Sequence, residues 1–150
     1  MESIPEFVQF RIDTINKVVS TYRLDNLVDF GYNCTRDDFY RSIKVPNIIV
    51  IESNGPRCEA ASRRGITCYH GNFTELYQHV AKGKTCYTYF RFNTTTSVVD
   101  DKNVSSIRNY IGDHNPGSFL VVWDRHKHSQ ICTVFNSTGV VSSEGNFHRR

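Results

Sequence analysis

The sequence predicts a single α+β domain over residues 1–150, with N-terminal helices packed on a C-terminal antiparallel sheet. Three observations lead there. Helical periodicity comes early, at Val8, Ile12, Ile15, Val19 and Tyr22. Alternating apolar runs joined by turn residues come late, in "SFLVVW", "SQICTVFN" and "GVVSS". Between them, β-branched and aromatic residues outweigh Ala and Leu, which favours strands.

Ser3-Ile-Pro-Glu6 reads as a capping box, a hydroxyl with a carboxylate three residues on and Pro in the first turn. The helix it opens runs for about five turns to near Leu24. "LVDFGYNC" is extended, with Gly31 as a turn. "TRDDFYRSI" is a short helix that Thr35 caps, with Asp37 and Asp38 in the first turn where the dipole favours acids. Asn47–Glu52, "NIIVIE", is a buried strand that "SNGP" ends. Residues 56–72 read as irregular. A helix "FTELYQHVAKG" then opens at Gly71 or Asn72 and closes at Gly83. Thr85–Phe92 alternates aromatic and polar residues as a strand, and "TTTSVVDD" is a loop or strand edge. Asn103–Ile111 is a short amphipathic helix, followed by a turn at "GDHNPG". "DRHKH" connects the first two C-terminal strands as a hairpin.

Hydrophobic content of 39% and charged content of 22% mark a globular chain. A formal charge of +3 is too small to argue for nucleic acid, which is an unlikely partner on this count. The cluster Arg57, Arg63 and Arg64 reads as a solvated loop. No segment has the roughly 20 apolar residues of a membrane helix, so no membrane partner is expected. "MESIPEFVQF" has acids where a signal peptide needs a basic region and an apolar core. Cys34, Cys58, Cys68, Cys86 and Cys132 are odd in number and contain no CxxC, which suits reduced thiols. Sequons at Asn33, Asn72, Asn93, Asn103 and Asn136 point towards secretion instead. The expectation is a cytoplasmic protein, including one delivered into or made inside a host cell.

One constellation suggests chemistry. A thiol at a helix N-terminus is favoured as thiolate, a nearby His completes its activation, and a third polar group orients the imidazole. Cys34, His128 and Glu144 occur in that order, with Asn146 as a second candidate for the third role.

The chain here resembles the papain-like fold, within it the papain-fold toxin and glutamine-deamidase domains of bacterial effectors. The resemblance rests on Asn33-Cys34, Pro116-Gly117-Ser118 before "FLVVW", His128 opening a strand, Asn136-x-x-Gly139, and Glu144-Gly145-Asn146. Glu144 and Asn146 stand where such domains carry Asp and Gln, which shifts the orienting carboxylate by a methylene. The resemblance implies a cysteine-dependent hydrolase or glutamine deamidase acting on a protein substrate. Cys34 is then the nucleophile, His128 the general base and acid, and Glu144 the orienting group. The backbone N–H of Cys34 forms the oxyanion site, with Asn33 as a side-chain donor. It implies no cofactor and no metal.

Other readings compete. A non-enzymatic viral or pathogen interaction protein would bind a host protein through the aromatics of 87–92, or, less well supported, RNA. A zinc site would draw on His126, His128, Cys68 and His70. Nucleic-acid stacking would use Tyr87, Tyr89 and Arg91 on one strand face.

Overall fold

A computed structural model of the chain describes residues 5–32, 37–72 and 83–147. The first helix, α1 (Glu6–Tyr22), starts after Pro5. Its expected cap at Ser3 lies outside the described residues. Ile12, Ile15, Val18 and Val19 form its buried stripe, each worth about 1.5–3 kcal/mol on full burial. The helix stops at Arg23, whose left-handed φ of 53° turns the chain into β1 (Asn26–Phe30).

The chain then alternates between helix and strand: α2 (Asp37–Arg41), β2 (Asn47–Glu52), α3 (Gly55–Arg63), β3 (Thr67–His70) and β4 (Thr85–Phe92). A single 3₁₀ turn at Val98–Asp100 leads into α4 (Lys102–His114). Asp101 caps α4 by accepting from the N–H groups of Asn103 and Val104. The last three strands are β5 (Phe119–Arg125), β6 (Ser129–Asn136) and β7 (Gly139–Phe147).

All seven strands form one sheet in the order β3-β2-β1-β4-β5-β6-β7. The first five are mutually parallel. Only β6 and β7 add as antiparallel hairpins. One apolar core joins α1, α2 and α3 to the face carrying Leu27, Val50, Cys86, Val121 and Cys132. A second joins α4 to the opposite face, through Val28, Ile51, Tyr87, Leu120 and Val122. Helices on both faces of a mostly parallel sheet define a doubly wound α/β domain.

The α+β papain-like expectation, with helices stacked against an antiparallel sheet, is therefore incorrect. The physical reason lies in residues 55–70. Asn54 accepts from the Arg57 N–H at 2.9 Å as an N-cap, and Pro56 sits in the first turn of α3. The "SNGP" that reads as a strand breaker is thus also a helix start. Once α3 and β3 exist, the helices are crossovers between parallel strands. The Gly71-to-Gly83 helix falls largely outside the described residues.

A buried ion pair ties the layers together. Arg11 Nη2 of α1 donates to Asp29 Oδ1 of β1 at 3.0 Å and to Thr88 Oγ1 of β4 at 3.3 Å. Thr88 Oγ1 donates to the same Asp29 oxygen at 2.6 Å, and Tyr40 Oη to the other at 2.6 Å. The guanidinium also lies 4.4 Å from the Phe39 ring centroid and 5.0 Å from that of Trp123. Burial, with the Asp29 charge second, raises the Tyr40 hydroxyl well above its ordinary value, so it stays a donor.

Removing one partner of such a pair leaves a buried charge uncompensated, at about 3–5 kcal/mol. Arg11→Met is expected to lower unfolding free energy by that amount in urea titration. A loss below about 1 kcal/mol, the scale of an exposed pair, would contradict the assigned role.

Candidate functional site

Strand order reverses beside β1. The chain steps outward from β1 to β2 to β3, then returns to the other side of β1 with β4. Loops at the carboxyl ends of β1 and β4 consequently diverge and leave a crevice, the usual ligand position in an open α/β sheet. A cavity of about 570 Å³ occupies it. Its lining includes Gly31 and Tyr32 after β1, Phe90 near the end of β4, and Trp123 and Arg125 near the end of β5. Arg11 and Asp29 contribute to the lining, and Arg57 comes from the first turn of α3.

The turn leaving β1 is held by β2. Gly31 donates to the Ile51 carbonyl at 2.8 Å, with φ of 94°, a conformation that favours glycine. A side chain there would meet open space rather than protein. The next N–H, of Tyr32, donates to Glu52 Oε1 at 2.7 Å, while Asn54 N–H donates to Glu52 Oε2 at 2.8 Å. Glu52 is buried at the end of β2, and each carboxylate oxygen retains a further acceptor position. Arg64 secures the Tyr32 hydroxyl at 3.1 Å. His70, ending β3, lies over Gly55 with Nε2 3.1 Å from the Ser53 carbonyl oxygen.

On the opposite sheet face Arg91 anchors the loop after β4. Its Nε lies 3.3 Å from Asp101 Oδ2 and 3.2 Å from Asp124 Oδ1, and its Nη2 donates to Thr94 and to the Thr96 carbonyl. Burial raises the Asp124 carboxyl, with Arg91 and His126 opposing.

The described members of the sequence-derived site lie apart from one another. Cys34 and Asn33 lie outside the described residues. His128 is exposed in the turn between β5 and β6. Glu144 pairs across β7 with Cys132, four residues along β6 from His128, or about 13 Å of strand. Its carboxylate faces Lys17 at 3.7 Å on the surface. Asn146 is nearer the turn, opposite Gln130. Ser118 of the "PGS" turn accepts from the Thr85 N–H at 2.8 Å, at the amino end of β4 and β5, away from the crevice.

The rival sets also separate. Cys68 and His70 on β3 stand four strand positions from β5, about 19 Å from its His126–His128 turn. Among the described residues no group of three or more His, Cys, Asp or Glu can hold a metal ion. No described helix is long and apolar enough to cross a membrane. Tyr87 and Arg91 are buried, so their strand face is not a stacking surface. Arg57, Arg63 and Arg64 do not form one solvated loop, since Arg57 lines the cavity and Arg64 holds Tyr32.

The residues at the carboxyl ends of β1 and β2 that the sequence reading missed had a signal. A glycine directly after a buried strand, with an acid closing the next strand about 20 residues on, is a known nucleotide-site pattern. Gly31 and Glu52 satisfy it. The loop itself carries one glycine where the dinucleotide fingerprint carries three, so the pattern is incomplete.

No family model matches the chain, and no curated protein matches it by sequence. Solved structures do match in fold. The plantazolicin methyltransferase BamL is 17% identical with a TM-score of 0.52, covering 78% of this chain and 50% of its own. CalS10, an amino pentose methyltransferase from Micromonospora echinaspora, is 13% identical with a TM-score of 0.53, covering 97% and 79%. An rRNA methylase from Streptococcus thermophilus is 13% identical with a TM-score of 0.51, covering 83% and 73%. The chain thus spans half the length of BamL and about four fifths of CalS10. The fold is the Rossmann-like fold of S-adenosylmethionine-dependent methyltransferases. This likeness overturns the papain-like resemblance and, with it, the cysteine hydrolase, deamidase and toxin readings. The non-enzymatic interaction module does not fit either.

Several described thiols are far from nucleophilic. Burial pushes Cys86 from 9.0 up to about 12 and Cys132 up to about 11, and raises half-buried Cys68 as well. Both Cys86 and Cys132 are expected to resist iodoacetamide at mildly alkaline pH in native protein and to react once urea unfolds it. Their protons are held more tightly when folded, so the associated stability is complete below the unfolded value near 9 and is lost as pH rises towards 11–12. Mass-spectrometric labelling of either thiol in the native state at the unfolded rate would refute this burial.

Proposed function

We propose that the chain is an S-adenosylmethionine-binding methyltransferase domain, with its cofactor at the carboxyl ends of β1 and β2. The observation that carries this reading is Glu52, a buried carboxylate ending β2 and bonded to the turn that leaves β1. Glu52 is not itself part of the cavity lining, so the ribose would extend past Gly31 to the ends of β1 and β2, where the carboxylate's remaining acceptor positions would receive its two hydroxyls. Gly31, with no side chain on an open flank, permits close approach of the cofactor to the backbone. Tyr32, Phe39, Tyr40 and Trp123 give the cavity an aromatic lining, in which Phe39 and Trp123 already carry the Arg11 guanidinium.

S-adenosylmethionine supplies a sulfonium-bound methyl group, which passes to a nucleophilic atom of the acceptor as S-adenosylhomocysteine and the acceptor's displaced proton leave. The chain's contribution is binding and orientation. Fixed rings at the cavity wall orient what binds there, while the Asp29 carboxylate in that wall is already matched by Arg11. The solved neighbours are named for different acceptors, plantazolicin, an amino pentose and rRNA, so the shared fold leaves the acceptor open.

Calorimetry with S-adenosylhomocysteine tests the reading. Wild type is expected to bind one equivalent. Glu52→Gln, which replaces a charged acceptor, is expected to weaken binding roughly 10- to 100-fold, from hydrogen bonds to a charged group worth about 1.5–3 kcal/mol. No heat and no thermal shift with saturating ligand in folded wild type would sink the proposal.

A further inference from the structure

The acceptor's class can be read from a surface adjoining the crevice. Phe90, Phe92, Trp123 and Arg125 alternate onto the same face at the carboxyl ends of β4 and β5, and Phe92 pairs with Arg125 in the parallel register. The rings make a continuous row. Phe92 and Phe90 are 6.1 Å apart, Phe90 and Trp123 4.7 Å, and Trp123 stacks on Phe7 of α1 at 6.5 Å. The Arg125 guanidinium lies 3.5 Å from the Phe7 ring centroid. Phe92 is 55% and Phe90 39% exposed, although both lie beside a well-buried core. Beyond Arg125, the turn His126–Lys127–His128 borders a recess of about 290 Å³. Among the described residues, Glu6 is the one acid lining that recess, against Arg125, Lys127 and two imidazoles.

Open ring faces next to cations match a polymer that offers flat bases and phosphates together. A duplex keeps its bases stacked internally, so it cannot use the rings. An acidic peptide would use the cations and leave the rings in water. Resting on the methyltransferase reading, we propose that the acceptor is a single-stranded nucleic acid, with bases on Phe92 and Phe90 and phosphates against Arg125 and Lys127. Strand and cavity are continuous, because Phe90, Trp123 and Arg125 also line the crevice. A nucleotide leaving the row is thereby directed towards the methyl donor.

Fluorescence anisotropy at low salt, with labelled single-stranded RNA, the matching DNA strand and their duplex, tests this. Phe92→Ala and Lys127→Ala are the variants, since neither side chain holds the cofactor, and thermal unfolding verifies that both fold. Single strands are expected to bind better than duplex. Preference for RNA over DNA would assign an RNA acceptor, and equal binding a single strand of either kind. Phe92→Ala is expected to weaken binding roughly tenfold. Lys127→Ala is expected to reduce the slope of log affinity against log salt by about 0.7. Absence of binding by either strand, unchanged affinity in Phe92→Ala, or equal competition by polyglutamate would overturn the inference. S-adenosylhomocysteine calorimetry on the same samples separates the two claims: retained cofactor binding without strand binding removes only the acceptor assignment, and lost cofactor binding removes the methyltransferase reading.

Discussion

The Arg11–Asp29 pair is the constraint on which the rest of this molecule is arranged. It joins α1 to the central strand, and through Thr88 and Tyr40 it also engages β4 and α2. Two buried charges are costly to desolvate and add little net stability over an apolar pair. Their value is positional. Every donor on Asp29 has one geometry in which the carboxylate is satisfied, and that geometry fixes where α1 and α2 lie on the sheet. The same residues wall the cavity, so the device that sets the packing also shapes the floor of the crevice.

Around that pair, topology supplies the site. Parallel strands require crossovers, and a reversal in crossover direction beside β1 parts the loops above it. Glu52 then links two strand ends, because its carboxylate accepts from backbone N–H groups that follow β1 and β2. The C-terminal hairpins β5–β6 and β6–β7 extend the sheet at its other end without a helical crossover. That extension carries the basic turn to the rim of the cavity, beside the aromatic row. The crevice and the aromatic row are thus neighbours along one edge of the sheet.

Much of the secondary structure was legible. The stripe of α1, the strands at Asn47–Glu52 and Thr85–Phe92, the helix over 103–111 and the C-terminal hairpins all appear close to their expected positions. Each rests on local periodicity, which survives tertiary packing. The segment 55–70 was not legible, because Asn-Gly-Pro is both a strand stop and a helix start. The candidate site was read from order along the chain, and its described members do not come together. Asn33-Cys34, Ser118, His128 and Glu144 have a suggestive order along the chain, yet Ser118 lies at the amino ends of the strands and Glu144 pairs with Lys17 on the surface. Gly31 and Glu52, whose spacing did hold information, were passed over as a turn and a strand end.

Outside 55–70, the sequence by itself determined which described segments are helix and which are strand, because repeat periods of 3.6 and 2 are properties of neighbouring residues. It also determined that Phe90 and Phe92 share one strand face and Tyr87 and Arg91 the other. Only the tertiary structure decided which face is covered, which strands run parallel, and that residues 20 apart meet at Glu52. Strand order and crossover direction are set by the cooperative burial of two cores and one ion pair. No local window contains those interactions, so the crevice becomes visible only when the sheet is assembled.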